Sequence, residues 1–338
     1  RAALTIYVLI FVSPTVTAYL TCFLISAVLE VAVLGGVVWK ALPPPQAARS
    51  RLDFALLGRV WKFTALLTAT GILIAMVEQL DKLLISKILP LGLMGYYTVA
   101  AQLAAALTFI TIPVFYTVYP RFSALLAEHK TDDLRKVYRR ASQLAALLTW
   151  PATGTLIFFS RDILLLWTHS EALARETWLV LSFLVIGYQM RALAMFVPHA
   201  LQIAADMLKL PFYANLIGWL LLVPSMIFGI HYWQMRGAAC VWALFNFLYF
   251  LIVPRIMHRR LLEGNIAGWF LKDILPYAAV GLVVPAFFRM LACGWQASWA
   301  PYLWIGLSPG VSYLTVLLMY PPSRDMVFRF FSPSKIHS

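Results

Sequence analysis

Long, uninterrupted apolar runs recur along this chain, separated by short charged segments, and nothing else in the sequence limits the fold as much. A helix needs about 20 apolar residues to cross roughly 30 Å of hydrocarbon. The strands of a membrane barrel would instead alternate apolar and polar over about ten residues. Charged residues make up 12% of the chain and hydrophobic ones 62%, whereas about 25% of a soluble domain is charged. Such a surface cannot be covered in water. The expected fold class is therefore all-α, a polytopic bundle of transmembrane helices.

The 338 residues hold about ten spans. Residues 2–13 read as the tail of one span and 15–38 as the next. Six more fall at 62–86, 92–118, 142–166, 176–203, 207–230 and 237–257, and a final pair at 271–291 and 299–320. The chain opens on Arg1, inside an apolar run and without a signal peptide, so we expect it to lack upstream helices.

The loops test this placement. Lys40, Arg49, Arg51, Arg59 and Lys62 fall in one loop, which a Pro43-Pro44-Pro45 break interrupts. Arg121, Lys130, Arg135, Lys136, Arg139 and Arg140 fall in another. Arg255, Arg259 and Arg260 mark a third, and Arg324, Arg329 and Lys335 the tail. These are alternate loops, and the intervening ones carry few cations: Lys87, Arg161, Arg175, Arg236 and Arg289. The positive-inside rule then puts the basic loops and the C-terminus in the cytoplasm. Trp39, Trp61, Trp167, Trp233, Trp295 and Trp299 sit near span ends, where amphipathic rings anchor.

The net charge of +13 has two readings. It can be topological only, or some cations can line a path for an anionic substrate. Nucleic-acid binding is excluded because the cations are spread over short loops and form no continuous patch. Cys22, Cys240 and Cys293 have no metal-ligand spacing and imply no disulfide framework. No cofactor motif is present, and no loop is long enough to fold a soluble domain.

Polar residues at membrane depth are the informative ones, because a charge there costs several kcal/mol unless it faces a bundle interior or a hydrated cavity. Tyr188, Arg191, Met195, Pro198, His199 and Gln202 recur at helical spacing on one face of the span 176–203. With a central cation, this stripe reads either as a cavity wall or as one side of an internal ion pair. A guanidinium there could grip a phosphate or pyrophosphate through its planar fork of donors. Glu78, Gln79, Asp81 and Lys82 cluster in the outer half of 62–86, with Glu78 and Lys82 spaced to pair. They read as a gate, a proton or cation site, a counter-ion for Arg191, or an interfacial cluster with Lys82 snorkelling outward. Glu30 is a single carboxylate in the span 15–38, and Gln102, Asn215 and Asn246 are candidates for interhelical hydrogen bonds.

The stretch from Asp81 through Pro90, Gly95, Tyr96 and Tyr97 to Ala100, followed by Pro120-Arg121-Phe122-Ser123, carries a resemblance. It is similar to the seventh and eighth helices of polysaccharide and O-antigen flippases, within the multidrug/oligosaccharidyl-lipid/polysaccharide exporter superfamily. The likeness covers roughly residues 55–260. It departs at Pro90, where members often have glycine. The residues themselves suggest a tight turn or close approach at Gly95 and a bend or end at Pro113 and Pro120.

The resemblance implies a two-lobe transporter of which this chain is the C-terminal part. Residues 1–38 would close a truncated first lobe, and 39–61 would link the lobes. Residues 62–257 would form a second six-helix lobe, and 258–338 two accessory helices and a cytoplasmic tail. The implied activity is non-enzymatic flipping of undecaprenyl-pyrophosphate-linked oligosaccharide across a bacterial inner membrane by alternating access. Arg191, Tyr188, His199, Gln202, Tyr97 and Gln102 would line the substrate cavity, and Asp81, Glu78 and Lys82 would form a gate or couple a proton or cation. The implied partners are the lipid-linked oligosaccharide and membrane lipids. One alternative is a multidrug or cation exporter of the same superfamily. Another is a membrane-embedded polymerase or ligase, for which His169 with Glu171 is the best acid–base pair.

Overall fold

The computed structural model describes residues 7–8, 15–41, 54–262, 266–294 and 300–319. The chain divides into two compact units, Arg1–Gly58 and Arg59–Ser338. All described elements are helical. Among the described residues, seven helical stretches are long and apolar enough to cross a membrane, so the protein is a multi-pass membrane helix bundle. The expected span at 2–13 lies outside the described residues except for 7–8, as do Pro43–Pro45, Trp295, Trp299 and the basic tail.

Helix α1 (Val16–Ala41) belongs to the first unit. It exposes Leu20, Leu24, Val28, Val31 and Leu34, as a helix solvated by hydrocarbon does. Glu30 is exposed on the same helix. Ser26 is buried, and its hydroxyl donates to the Cys22 carbonyl at 2.8 Å.

The second unit is an up-and-down bundle. Helix α2 (Phe54–Ile88) carries the chain to Pro90, and α3 (Leu91–Ala127) returns. Pro113 and Pro120 lie inside α3 without ending it. The hydroxyls of Thr117 and Ser123 donate back to the carbonyls of Pro113 and Tyr119, a bond pattern that lets a helix bend without breaking. Gly95 lies within α3, and a Cβ there would meet open space, so neither a turn nor a close approach requires it. The short link to the next helix carries Glu128, whose carboxyl is held below its ordinary range by its hydrogen bond to Lys130.

Helix α4 (Thr131–Phe158) starts eleven residues before the expected span, with Asp132 and Asp133 in its first turn, where acids suit the positive helix end. The expected continuous span to 166 is broken at Phe159, and a short helix α5 (Ser160–Thr168) follows. The next expected span is also two helices, α6 (Glu171–Met195) and α7 (Val197–Ala204), divided at Phe196. Pro198 stands in the first turn of α7. A proline has no N–H for the preceding turn, and its ring disfavours helical geometry before it. The stripe from Tyr188 to Gln202 is therefore not one helical face.

Helix α8 (Lys209–Met257) is a hairpin whose two arms reverse at Gln234, at φ 51°. Asn215 faces Tyr249, and Gly229 faces Gly237. A Cβ on Gly237 would lie 1.9 Å from the Gly229 carbonyl oxygen, so the arms meet near the turn only because these residues are glycines. The expected spans at 207–230 and 237–257 correspond to the two arms. After two π-helical turns, His258–Leu262 and Trp269–Ile274, come α9 (Leu275–Gly294) and α10 (Ala300–Met319).

Two large cores fill this unit, with a small third one around Phe159, Phe288 and Ala292. One, at the basic end, joins Phe122, Leu134, Tyr138, Met257 and Trp269. The other, in the opposite half, joins Val77, Tyr97, Leu107, Leu181 and Trp242. Lipid tails are as apolar as these side chains, so close packing and interhelical hydrogen bonds hold the bundle rather than transfer from water.

Candidate functional site

The polar residues of α2 meet α3 and α6 in the second core. Asp81 is 2% exposed. One carboxylate oxygen accepts the Lys82 backbone N–H at 2.8 Å, and the other accepts the Tyr97 hydroxyl at 2.7 Å. Tyr97 is wholly buried. It therefore orients Asp81, and its hydroxyl is already committed.

Arg191, at 5% exposure, pairs with Glu78 across the α2–α6 interface. Glu78 is 41% exposed at its side chain, so the pair has a buried cationic end and an open anionic end. The guanidinium lies 5.9 Å from the Trp242 ring centre, within reach of a cation–π attraction. The Tyr188 ring packs against Trp242 from the same helix as Arg191, at 5.7 Å between centroids. Gly187 admits this packing, since a Cβ there would fall 2.7 Å from the Trp242 ring.

Lys82 does not take the Glu78 carboxylate, although i, i+4 spacing allows it. Its ammonium bonds Gln79 Oε1 at 3.2 Å and the Glu78 carbonyl at 3.5 Å. Arg191 holds the carboxylate instead, because a planar fork with several donors outcompetes a mobile ammonium at a partly buried site.

The rest of the expected stripe follows on α7, beyond the break at Phe196. On α7, His199 Nδ1 lies 3.4 Å from Gln202 Oε1, and its ring faces Phe115. Gln202 is buried, and its Nε2 has no hydrogen-bond partner among the described residues. Gln102 is exposed, five residues beyond Tyr97. Thus Glu78, Asp81, Tyr97, Tyr188 and Arg191 come together, His199 and Gln202 pair on the next helix within electrostatic reach of Arg191, and Gln102 is exposed on α3.

His169 and Glu171 do not form an acid–base pair. His169 caps α5 in a left-handed conformation, and Glu171 pairs with Arg161. Among the described residues no cluster has the composition of a metal site.

Sequence reasoning missed three interactions. Arg139 gives Asp273 two hydrogen bonds, at 2.8 and 3.0 Å, and Gln143 adds one at 2.7 Å. Arg289 pairs with Asp162 at 2.6 Å and lies over the Phe159 ring. Gln189 bridges Thr153 and Thr149 in the core. A signal existed for the first two: each sets a carboxylate in an otherwise apolar or basic stretch, and such groups in membranes seek partners.

These features define a multi-pass helical membrane protein with a half-buried ion pair between two of its helices. The chain belongs to the polysaccharide biosynthesis protein family, whose sequence profile matches residues 2–171, just over half its length. The match includes Glu78, Asp81 and Tyr97 and ends before Arg191. No curated protein and no solved structure matches the chain.

Proposed function

We propose that the protein is a flippase that carries an undecaprenyl-pyrophosphate-linked oligosaccharide across the bacterial inner membrane by alternating access. The observation that carries this reading is Arg191, a cation at membrane depth whose counter-ion is half-exposed. A pyrophosphate can displace Glu78 from the guanidinium, since both present oxygens to the same fork. The released Glu78 carboxylate, beside Asp81 and Lys82, is then free to take a proton or cation and so couple or gate the step. Tyr188 and the Gln202 amide nitrogen, which has no partner among the described residues, would contact sugar, with His199 and Gln102 further along the path. Membership of the polysaccharide biosynthesis family supports the substrate class.

In this reading residues 62–257 form one lobe and α9 and α10 are accessory. The basic loops face the cytoplasm, and the alternation of charge supports that orientation. The protein performs no bond chemistry: its action is positioning and release. The buried carboxylate of Asp81 favours a second reading, export of cations or cationic drugs.

The test expresses the complete coding sequence in a strain lacking its own polysaccharide flippase and scores surface polysaccharide at matched membrane abundance. Wild type should restore it and Arg191→Ala should not. Restoration by both would remove Arg191 from substrate handling. No restoration, with gained resistance to cationic drugs, would establish the exporter instead.

A further inference from the structure

His199 lies just beyond the break that ends the helix of Arg191. It is half-buried on α7, while Arg191 is 5% exposed on α6. A force between the two therefore acts across the joint at Phe196 and not along one rigid helix. Helix α7 packs against α3, α4, α6 and α8. From α3 the Phe115 ring faces His199, with 6.5 Å between centroids. From α6 the Arg191 guanidinium is the charged group that acts on it. From α4 and α8 no charged or titratable side chain of the described residues does so. His199 thus feels a cation with no carboxylate beside it to offset the charge.

Gln202 is arranged to serve an imidazole that gains and loses a proton. It is 1% exposed. Its Oε1 end lies 3.4 Å from His199 Nδ1, and its Nε2 end has no partner among the described residues. The ring alone therefore decides which way the amide points. A protonated imidazole donates from both nitrogens and needs the carbonyl oxygen at Nδ1. A neutral one either donates or accepts at Nδ1, and a half-turn of the amide meets both cases. An amide locked by a second bond would favour one protonation state.

We propose that His199 binds a proton together with an oxyanion at Arg191. The inference rests on reading Arg191 as an oxyanion site and adds the group that links this site to pH. Glu78 brings a single negative charge to the guanidinium. A doubly charged oxyanion in its place brings one more, and a proton on His199 balances the surplus. Linkage makes the effect reciprocal: the proton tightens the oxyanion by the same factor as the oxyanion tightens the proton.

The test uses the full chain, purified and placed in nanodiscs of neutral phosphatidylcholine. The probe is methanedisulfonate, a dianion shaped like pyrophosphate. Its charge is constant between about pH 5 and about pH 8, the range in which a histidine changes charge. Calorimetry should find it bound about fivefold tighter, or more, at the lower pH. His199→Gln should abolish that gain. Glu78→Gln should keep it, which separates His199 from the carboxylate whose own protonation would free Arg191. A gain that survives His199→Gln, or one that vanishes in Glu78→Gln, would overturn the proposal and give the proton to Glu78. A second measurement follows the imidazole nitrogen resonances of His199 by NMR, without any ligand. Its titration should move to higher pH in Arg191→Gln and stay in place in Arg191→Lys. No movement in Arg191→Gln would also overturn the proposal, because the two side chains would then not interact. If methanedisulfonate binds at neither pH, the oxyanion reading of Arg191 falls and this proposal with it. If it binds equally well at both, only this proposal falls.

Discussion

Asp273 and Arg191 are both almost wholly enclosed, yet their surroundings differ. Asp273, at 0% exposure, accepts three hydrogen bonds, two from Arg139 and one from Gln143. Arg191 gives one to Glu78, a carboxylate 41% exposed, and otherwise faces an aromatic ring. A buried charge with its bonding capacity filled is a fixed joint. One with spare capacity can exchange partners. Asp273 ties the segment before α9 to α4, at the basic end of the bundle. Arg289 with Asp162 ties the other end of α9 to α5. Arg191 ties α6 to α2 within the second core.

The largest effect should come from opening the filled site. Arg139→Ala leaves a fully buried carboxylate with only Gln143, and removing one member of a buried pair costs about 3–5 kcal/mol. We expect about 3 kcal/mol, because Arg139 itself is half-exposed and part of the pair's strength is screened. Asp273→Asn removes the charge but keeps the shape, and should cost only about 1 kcal/mol. Denaturant unfolding in detergent measures both. Equal costs for the two variants would mean that the charge at Asp273 is immaterial.

Gly154→Val comes next. A Cβ at Gly154 would lie 1.9 Å from the Gly281 carbonyl oxygen, so α4 and α9 touch through two glycines. Overpacking costs about 1–3 kcal/mol, and a backbone obstacle puts this case at the upper end. Trypsin cleavage near α9 should accelerate along with the loss of stability. A neutral result would mean that α9 is not held as closely as α4.

Glu78→Ala sharpens the comparison most directly. If the region around Arg191 admits water, as substrate passage requires, the freed guanidinium hydrates and stability falls by under about 1 kcal/mol. A fall comparable to that of Arg139→Ala would make Glu78–Arg191 a second fixed joint and would erase the contrast. The same unfolding assay reads both variants side by side.

Much of the fold was legible because the membrane imposes one strong rule: every backbone polar group must be satisfied within its own segment. Runs of apolar residues therefore marked the helices, and the alternation of cations marked the loops. What was lost lay in local backbone chemistry. Spacing alone placed Arg191 and His199 on one helix, but Pro198 opens a second helix after Phe196, so the stripe spans two. The Gln234 reversal sat between two expected spans and was legible as a turn, whereas the glycine pair that closes it was not. The partner of Arg191 was open between Asp81 and Glu78. Both are acidic and three residues apart, and only the commitment of Asp81 to Tyr97 decides between them. Arg139 read as part of a basic surface because its partner, Asp273, lies 134 residues away.

Neutral bonds between helices set the lower limit of what holds α10. Thr155 and Ser308 share a buried hydrogen bond at 2.9 Å between α4 and α10. Such bonds in membranes average about 0.6 kcal/mol, because an unfolded helix in lipid also finds partners. A double-mutant cycle with Thr155→Val and Ser308→Ala should return a coupling of about 0.6 kcal/mol. That is several times less than the Arg139 contribution. Thr155 also bonds the Pro151 carbonyl of its own helix, so Ser308→Ala leaves the Thr155 hydroxyl satisfied locally, which keeps the cost of that variant low. A coupling near 2 kcal/mol would place this bond among the fixed joints, and α10 would then be anchored by polar contacts in its own right rather than by packing against α4 and α9.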